Sequence, residues 1–154
     1  MSHMPMPDVA PDQLPLLDVG AVNHVAINVR DLDRSTAFYS TVFGLQPVRR
    51  TGFRQVLTRG EVSVHLFQAP EPSIAAPPRN WGQLGLQHVA FSAPGGDLES
   101  IKDRLAQHGI HADGPVADAD GRGLYLGDPD GIIIELRAPP ERPAGDAAAP
   151  RSQP

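Results

Sequence analysis

The sequence contains the same pattern twice. A stretch rich in β-branched residues, Val22 to Val29, carries His24 near its start, and Leu86 to Ser92 carries His88 at the equivalent place. Each stretch is followed by a segment with helical spacing of its apolar residues. Both segments end on a glycine, Gly44 and Gly109. Such a duplication predicts two copies of one structural unit.

Each copy closes on a strand with a metal-ligand type of residue at its middle. His65 lies within Val62 to Gln68, and Glu135 lies within Ile132 to Arg137. Because each unit places one such residue on its first strand and one on its last, four strands could build a single site.

Local signals fill in the rest of each unit. Asp31 or Asp33 can cap the first helix, which extends to about Phe43, and Gly44 suits the position after it, where positive φ is needed. The remaining expected elements are strands Gln46 to Arg50 and Arg54 to Thr58, a helix from Asp97 to His108, and strand Gly123 to Gly127. We expect a βαβββ order in both units.

The chain of 154 residues suits one domain, which we expect at residues 19–138, with modules 22–68 and 86–137 joined by a linker at 69–85. Residues 1–18 and 139–154 are rich in Pro, Ala, Asp and Arg and predict disordered tails. Ser2-His3-Met4 resembles a cloning scar, so His3 is excluded from any site.

Composition excludes several classes of protein. The chain has no cysteine, so it has no disulfide and no thiolate metal ligand. A net charge of −5 disfavours nucleic-acid binding, and no apolar stretch of membrane-spanning length or signal peptide is present. We therefore expect a cytoplasmic protein with a small-molecule substrate and with neither nucleic acid nor membrane as a partner.

Alternation along the strands predicts which side chains share the faces of the candidate ligands. If the four faces converge, three imidazoles and one carboxylate lie at the centre of a concave surface, with polar side chains around them. The predicted substrate-pocket residues are Asn28, Ser63, Phe67, Ser92 and Arg137, together with Trp81 of the proline-rich linker.

His24, His65, His88 and Glu135 suit one divalent ion of zinc, nickel, cobalt, manganese or iron(II). The alternative for each histidine is a lone, hydrogen-bonded strand residue. The alternative for Glu135 is an exposed position on an edge strand, because a carboxylate among isoleucines is costly to bury without a partner.

The segments around His24, Gly44, His88 and the Asp128-to-Leu136 stretch resemble the vicinal oxygen chelate superfamily, which includes glyoxalase I, fosfomycin-resistance proteins, extradiol dioxygenases and bleomycin-binding proteins. The resemblance implies an α+β fold of two paired βαβββ modules that form a cupped, eight-stranded mixed sheet. It also implies that His24, His65, His88 and Glu135 occupy the four ligand positions. His65 departs from the Glu or Gln usual in glyoxalase-like and epimerase-like members.

Three functions remain open. The first is a non-redox metalloenzyme (a lyase, isomerase, epimerase or group transferase) in which Glu135 or His65 is also catalytic, acting as a general base. The second is an iron(II) or manganese(II) extradiol-type dioxygenase that uses His24, His88 and Glu135. The third is a natural-product-binding resistance protein. The resemblance further implies a homodimer, in some members with each site completed by two chains.

Overall fold

The computed structural model of the chain describes residue 17, residues 19–70 and residues 85–140. The two predicted tails and the predicted linker fall largely outside these ranges, and Trp81 lies outside them. The domain boundaries therefore stay a prediction.

The first module has the predicted βαβββ order. Its elements are β1 Val25–Val29, α1 Leu32–Phe43, β2 Gln46–Arg50, β3 Arg54–Arg59 and β4 Val62–Gln68. Strand β1 is shorter than predicted, so His24 directly precedes the strand instead of lying inside it.

Helix α1 begins and ends where its capping residues predict. The Asp31 side chain accepts a hydrogen bond of 2.8 Å from the backbone N–H of Arg34, which satisfies one of the free donors of the first turn. Gly44 closes the helix in the left-handed conformation, at φ 67°. The apolar face of the helix, including Leu32 and Tyr39, is buried against the sheet.

The second module repeats this order. Its elements are β5 Val89–Ser92, α2 Leu98–Gln107, β6 Ala112–Asp118, β7 Gly121–Gly127 and β8 Ile133–Ala138. His88 also stands one residue before its strand. The βαβββ order requires strand β6, but the sequence did not locate it, because Asp113, Gly114 and Pro115 have low strand propensity.

The predicted fold class is confirmed, with α+β modules related by duplication. The eight strands are hydrogen-bonded as two four-stranded mixed sheets, in the orders β1-β4-β3-β2 and β5-β8-β7-β6. In each sheet the first strand is parallel to the last, and the other neighbours are antiparallel. This pairing puts Ala26 and Ala90 opposite His65 and Glu135, so His24 and His88, two residues earlier in the chain, lie on the same faces as those side chains.

The two modules contact each other through α1. The ring of Phe43 lies 5.2 Å from that of Phe91 on β5. The fully buried Tyr39 donates a hydrogen bond of 3.0 Å to the Asp128 carboxylate in the turn before β8. Burial raises the pKa of Asp128, and the backbone N–H groups of Asp130 and Ile132 also donate to its carboxylate. No helix among the described residues is long and apolar enough to cross a membrane.

Replacing Tyr39 with Phe removes the hydroxyl that joins α1 to the Asp128 turn and leaves a buried carboxylate short of one donor. A hydrogen bond to a charged group contributes about 1.5–3 kcal/mol, so we expect the free energy of unfolding to fall by about 2 kcal/mol. Urea unfolding measures this loss.

Ser40→Ala is the matched control, because the Ser40 hydroxyl on the same helix is buried and has no hydrogen-bond partner in the described structure. We expect it to leave stability unchanged or slightly raised. Equal losses in both variants would contradict the importance of the Tyr39–Asp128 contact.

Candidate metal centre

The first module brings two of the predicted ligands together. The imidazole rings of His24 and His65 are stacked, with centroids 4.0 Å apart and an angle of 12° between their planes. The register explains this contact. Ala26 of β1 pairs with His65 of the parallel strand β4, and His24 stands two residues before Ala26 on the same face. Desolvation lowers the pKa of His65, and the charges of His24, Arg54 and Arg49 lower it further. His65 is therefore neutral at neutral pH, the form that can bind a metal.

The second module brings together the other two. Nε2 of His88 lies 2.9 Å from Oε2 of Glu135. Two donors that each lie about 2.1 Å from one ion, at a right angle, are separated by about 3.0 Å. The observed separation therefore fits two neighbouring ligands of a single ion as well as it fits a hydrogen bond.

Glu135 is buried, with 4% of its surface exposed, so it is not an exposed edge-strand residue. The Tyr125 hydroxyl donates to its Oε1 at 3.0 Å, and Nη1 of Arg137 donates to the same atom at 3.3 Å. Arg137 in turn binds Asp118 at 2.9 Å and lowers the pKa of that carboxyl to about 2. Tyr125 and Arg137 hold Oε1, which leaves Oε2 directed toward His88.

Tyr125 is a site residue that the sequence did not reveal. It lies on β7 directly opposite Glu135, and burial and the bond to Glu135 raise its pKa, so the hydroxyl stays protonated and donates. The register could have revealed it, because Tyr125 and Glu135 lie at equal distances from the turn that joins β7 to β8.

The residue before each histidine has the same role in both modules. Nδ1 of His24 lies 2.8 Å from the side-chain oxygen of Asn23, and Nδ1 of His88 lies 2.9 Å from that of Gln87. An amide oxygen only accepts, so Nδ1 carries the hydrogen in each ring, and Nε2 is the atom available to an ion. Orientation of a histidine by a second hydrogen bond is typical of metal ligands.

The four predicted ligands form two pairs, one in each module, and not one cluster. Across residues 19–70 and 85–140, no group of three or more His, Cys, Asp or Glu side chains is close enough to hold an ion. The donor types fit a divalent transition metal, and the 2.9 Å separation in the second pair fits its coordination, but a complete set needs both pairs.

The predicted pocket residues are divided in the same way. Asn28, Ser63 and Phe67 lie on the His65 face of the first sheet, where Asn28 pairs with Phe67. Ser92 and Arg137 pair with each other in the second sheet. Trp81 lies outside the described residues.

A cavity of about 1030 Å³ lies between α1 of the first module and α2 and β5 of the second. Its lining is mainly apolar, including Phe38, Phe91 and Leu105, and it includes Ser92. None of the four candidate ligands lines it, so we place the chemistry at the two donor pairs and not in this cavity.

A family model described as the Glyoxalase/Bleomycin resistance protein/Dioxygenase superfamily matches residues 21–136. The chain belongs to this superfamily.

Two relatives are enzymes with different reactions. Catechol-2,3-dioxygenase of Bacillus subtilis is 35% identical over 121 residues, which cover 76% of this chain and 41% of that protein, so the chain spans less than half of that relative's length. Metallothiol transferase FosB of Lysinibacillus sphaericus is 30% identical over 129 residues, covering 78% of this chain and 83% of that protein. Membership supports a metal-dependent enzyme at the level of the superfamily.

A solved structure has the same fold. The glyoxalase/dioxygenase from Nostoc punctiforme matches with a TM-score of 0.65 and 27% identity, over 90% of this chain and 100% of that chain.

Gly123 on β7 leaves the space that the Glu135 carboxylate occupies. A Cβ added at Gly123 would lie 2.4 Å from Oε1 of Glu135 and 2.9 Å from the Tyr125 hydroxyl. We expect Gly123→Ala to displace Glu135 from its partners and to lower the free energy of unfolding by about 1–3 kcal/mol, as overpacking does. Chemical denaturation of the purified variant measures this change.

Gly127 provides the control on the same strand, because a Cβ there would meet no atom within 4 Å. Gly127→Ala should leave stability unchanged or raise it by up to about 1 kcal/mol. If the two variants behave alike, the close approach at Gly123 does not constrain Glu135.

Proposed function

We propose that the protein is a divalent-metal-dependent enzyme of non-redox type, and that its metal site is shared by the two chains of a homodimer. His24 and His65 of one chain would supply one pair of ligands, and His88 and Glu135 of the other chain would supply the second pair. The observation that carries this proposal is the division of the donors: each module holds two that are already in contact, and the described chain does not join them.

The residues around the pairs fit this assignment. Asn23 and Gln87 fix the tautomer of His24 and His88 so that both present Nε2. Tyr125 and Arg137 hold one oxygen of Glu135 and leave the other free. When bound, a divalent ion would act as a Lewis acid on a substrate with two adjacent oxygens.

His65 favours one reaction class over the other. Four protein donors would leave a divalent ion fewer positions for a substrate than three would. A dioxygenase has to hold its substrate and O₂ at the same time, so a fourth protein ligand favours non-redox chemistry. His65 is also the member of the set that would suit a general base after leaving the ion, because its lowered pKa keeps it neutral with a ring nitrogen free to accept a proton.

One specific observation favours a second function, an extradiol-type dioxygenase. The chain is 35% identical to part of a catechol-2,3-dioxygenase. His24, His88 and Glu135 alone make a set of two histidines and one carboxylate, the arrangement typical of non-haem iron(II) oxygenases. In that case His65 stays off the ion.

The shared site is tested by mixing two inactive variants. His24→Ala and Glu135→Ala should each bind zinc at least about 100-fold more weakly than wild type, because each loses a direct ligand. In a mixed dimer, one site carries both substitutions and the other carries none. Equal mixing after unfolding and refolding should therefore restore about a quarter of the wild-type zinc content.

Elemental analysis after dialysis gives the zinc content of each sample. His111→Ala is the control, because His111 is exposed and pairs only with Asp113 in the described structure, and its removal should not change zinc uptake. A mixture that binds no zinc would place all four ligands in one chain. A wild-type protein that takes up no divalent metal would overturn the metal proposal and favour a natural-product-binding protein.

The reaction class is tested by anaerobic reconstitution with Fe(II), Ni(II) or Zn(II) and a screen of 2-oxoaldehydes, catechols and epoxides. We expect turnover with Ni(II) or Zn(II) in the absence of oxygen, and a loss of at least about 100-fold in kcat for His65→Ala if it is the base. Oxygen consumption that requires both Fe(II) and a catechol would instead establish the dioxygenase.

A further inference from the structure

The His65 face of the first sheet is strongly basic. Arg54 lies on β3 and Arg49 on β2, and both share this face with His65 through the strand register: Val56 pairs with His65 on one side and with Arg49 on the other, and Arg54 pairs with Phe67. The chain as a whole carries a net charge of −5. A local surplus of positive charge in an acidic protein indicates an anionic partner.

Neither arginine has a neutralising carboxylate neighbour among residues 19–70 and 85–140. The ion pairs found among the described residues involve other arginines, and neither Arg49 nor Arg54 has a carboxylate partner there. Arg54 packs its guanidinium over the Phe67 ring, at 5.8 Å from the centroid, which orients the group without satisfying its N–H donors. Both arginines are near enough to His65 to influence its imidazole electrostatically.

Arg50, unlike Arg49 and Arg54, has a carboxylate partner. It is the next residue on the same strand, but it lies on the opposite face, where it bonds to Asp33 of α1 at 2.9 Å and to the buried Gln55. The sheet therefore uses one arginine of this strand to hold the helix and exposes the other toward the candidate metal centre.

We propose that Arg49 and Arg54 form a subsite for an anionic group, a phosphate or a carboxylate, carried by the substrate of the site that contains His24 and His65. This inference rests on the proposed function, because it assigns one part of that substrate.

The geometry sets the distance between the chelating end of the substrate and its anionic group. His65 and Arg54 stand one strand and two residues apart, and such diagonal neighbours are separated by about 7–8 Å. A substrate that chelates the ion through two oxygens would therefore carry its anionic group several bonds away. The exposed Phe53 ring, 6.2 Å from Phe67, adds an apolar wall beside the two arginines.

The binding test uses the full chain, with and without zinc, and titrates inorganic phosphate or acetate at low ionic strength. Arginine Nε–H signals in an NMR titration report the contact residue by residue. We expect saturable shifts for Arg49 and Arg54, an affinity at least about 10-fold lower in the double variant Arg49→Gln/Arg54→Gln, and further weakening by salt. The stronger of the two anions identifies the group.

Arg50→Gln is the matched control and should keep anion affinity within about twofold of wild type, since it removes one positive charge from the opposite face. Equal losses in Arg50→Gln and the double variant would mean that the anion follows net charge and not a site. The absence of saturable shifts would also overturn the subsite. A double variant that no longer forms the dimer would mean that the arginines pair with a second chain instead.

Zinc content measured on the same samples separates the two proposals. Zinc uptake without phosphate or acetate binding would leave the metalloenzyme standing and remove the subsite. Anion binding by a protein that takes up no metal would keep the anion subsite and remove the metalloenzyme. With an active metal form, 2-oxoaldehydes that carry a phosphate, a carboxylate or a neutral amide complete the test. The double variant should raise KM for the charged member at least about 10-fold, and change kcat and the KM of the amide little.

Discussion

The burial of the Glu135 carboxylate constrains the residues that surround it in the second module. A charged group with almost no contact with water needs partners, and three side chains provide them from three directions. Tyr125 comes from the neighbouring strand, Arg137 from the same strand, and His88 from the start of the parallel strand. Gly123 is small because the carboxylate fills the space beside it. The buried Glu135 carboxylate thus accounts for the side chains that surround it on β7 and β8 and at the start of β5.

The two modules use the same strand pairing to bring two side chains together, but the side chains differ between the modules. In each module the second residue of the first strand pairs with the ligand-type residue of the last strand, so the histidine just before the first strand lies diagonally across from that residue on the same face. In the first module the two positions hold imidazoles, which stack. In the second they hold an imidazole and a carboxylate, whose Nε2 and Oε2 atoms lie 2.9 Å apart. The amide residue before each histidine is part of the repeated design, since Asn23 and Gln87 have the same contact.

Sequence patterns that depend only on neighbouring residues predicted much of the fold. Asp31 and Gly44 mark the ends of α1 because capping depends on neighbouring residues only. The duplication predicted that His24, His65, His88 and Glu135 share one site built from four strands, whereas in the described residues they form two pairs, because the strand order of one unit brings together only the two ligand-type residues of that unit. The bounds of strand β6 were not located, although the βαβββ order required the strand, because its pairing with β7 outweighs the low propensity of Asp113, Gly114 and Pro115. Tyr125 and Arg54 could not be assigned without the register, because their roles depend on which atoms face them across strands.

The separation of the donor pairs also has a thermodynamic consequence. If an ion joins two chains, ion binding and chain association are linked, and each strengthens the other by the same factor. Dilution then removes metal as well as partner, and a chelator loosens the assembly. A protein built in this way responds to its own concentration in the cell: newly made chains stay inert until enough of them accumulate, and the supply of metal sets that threshold.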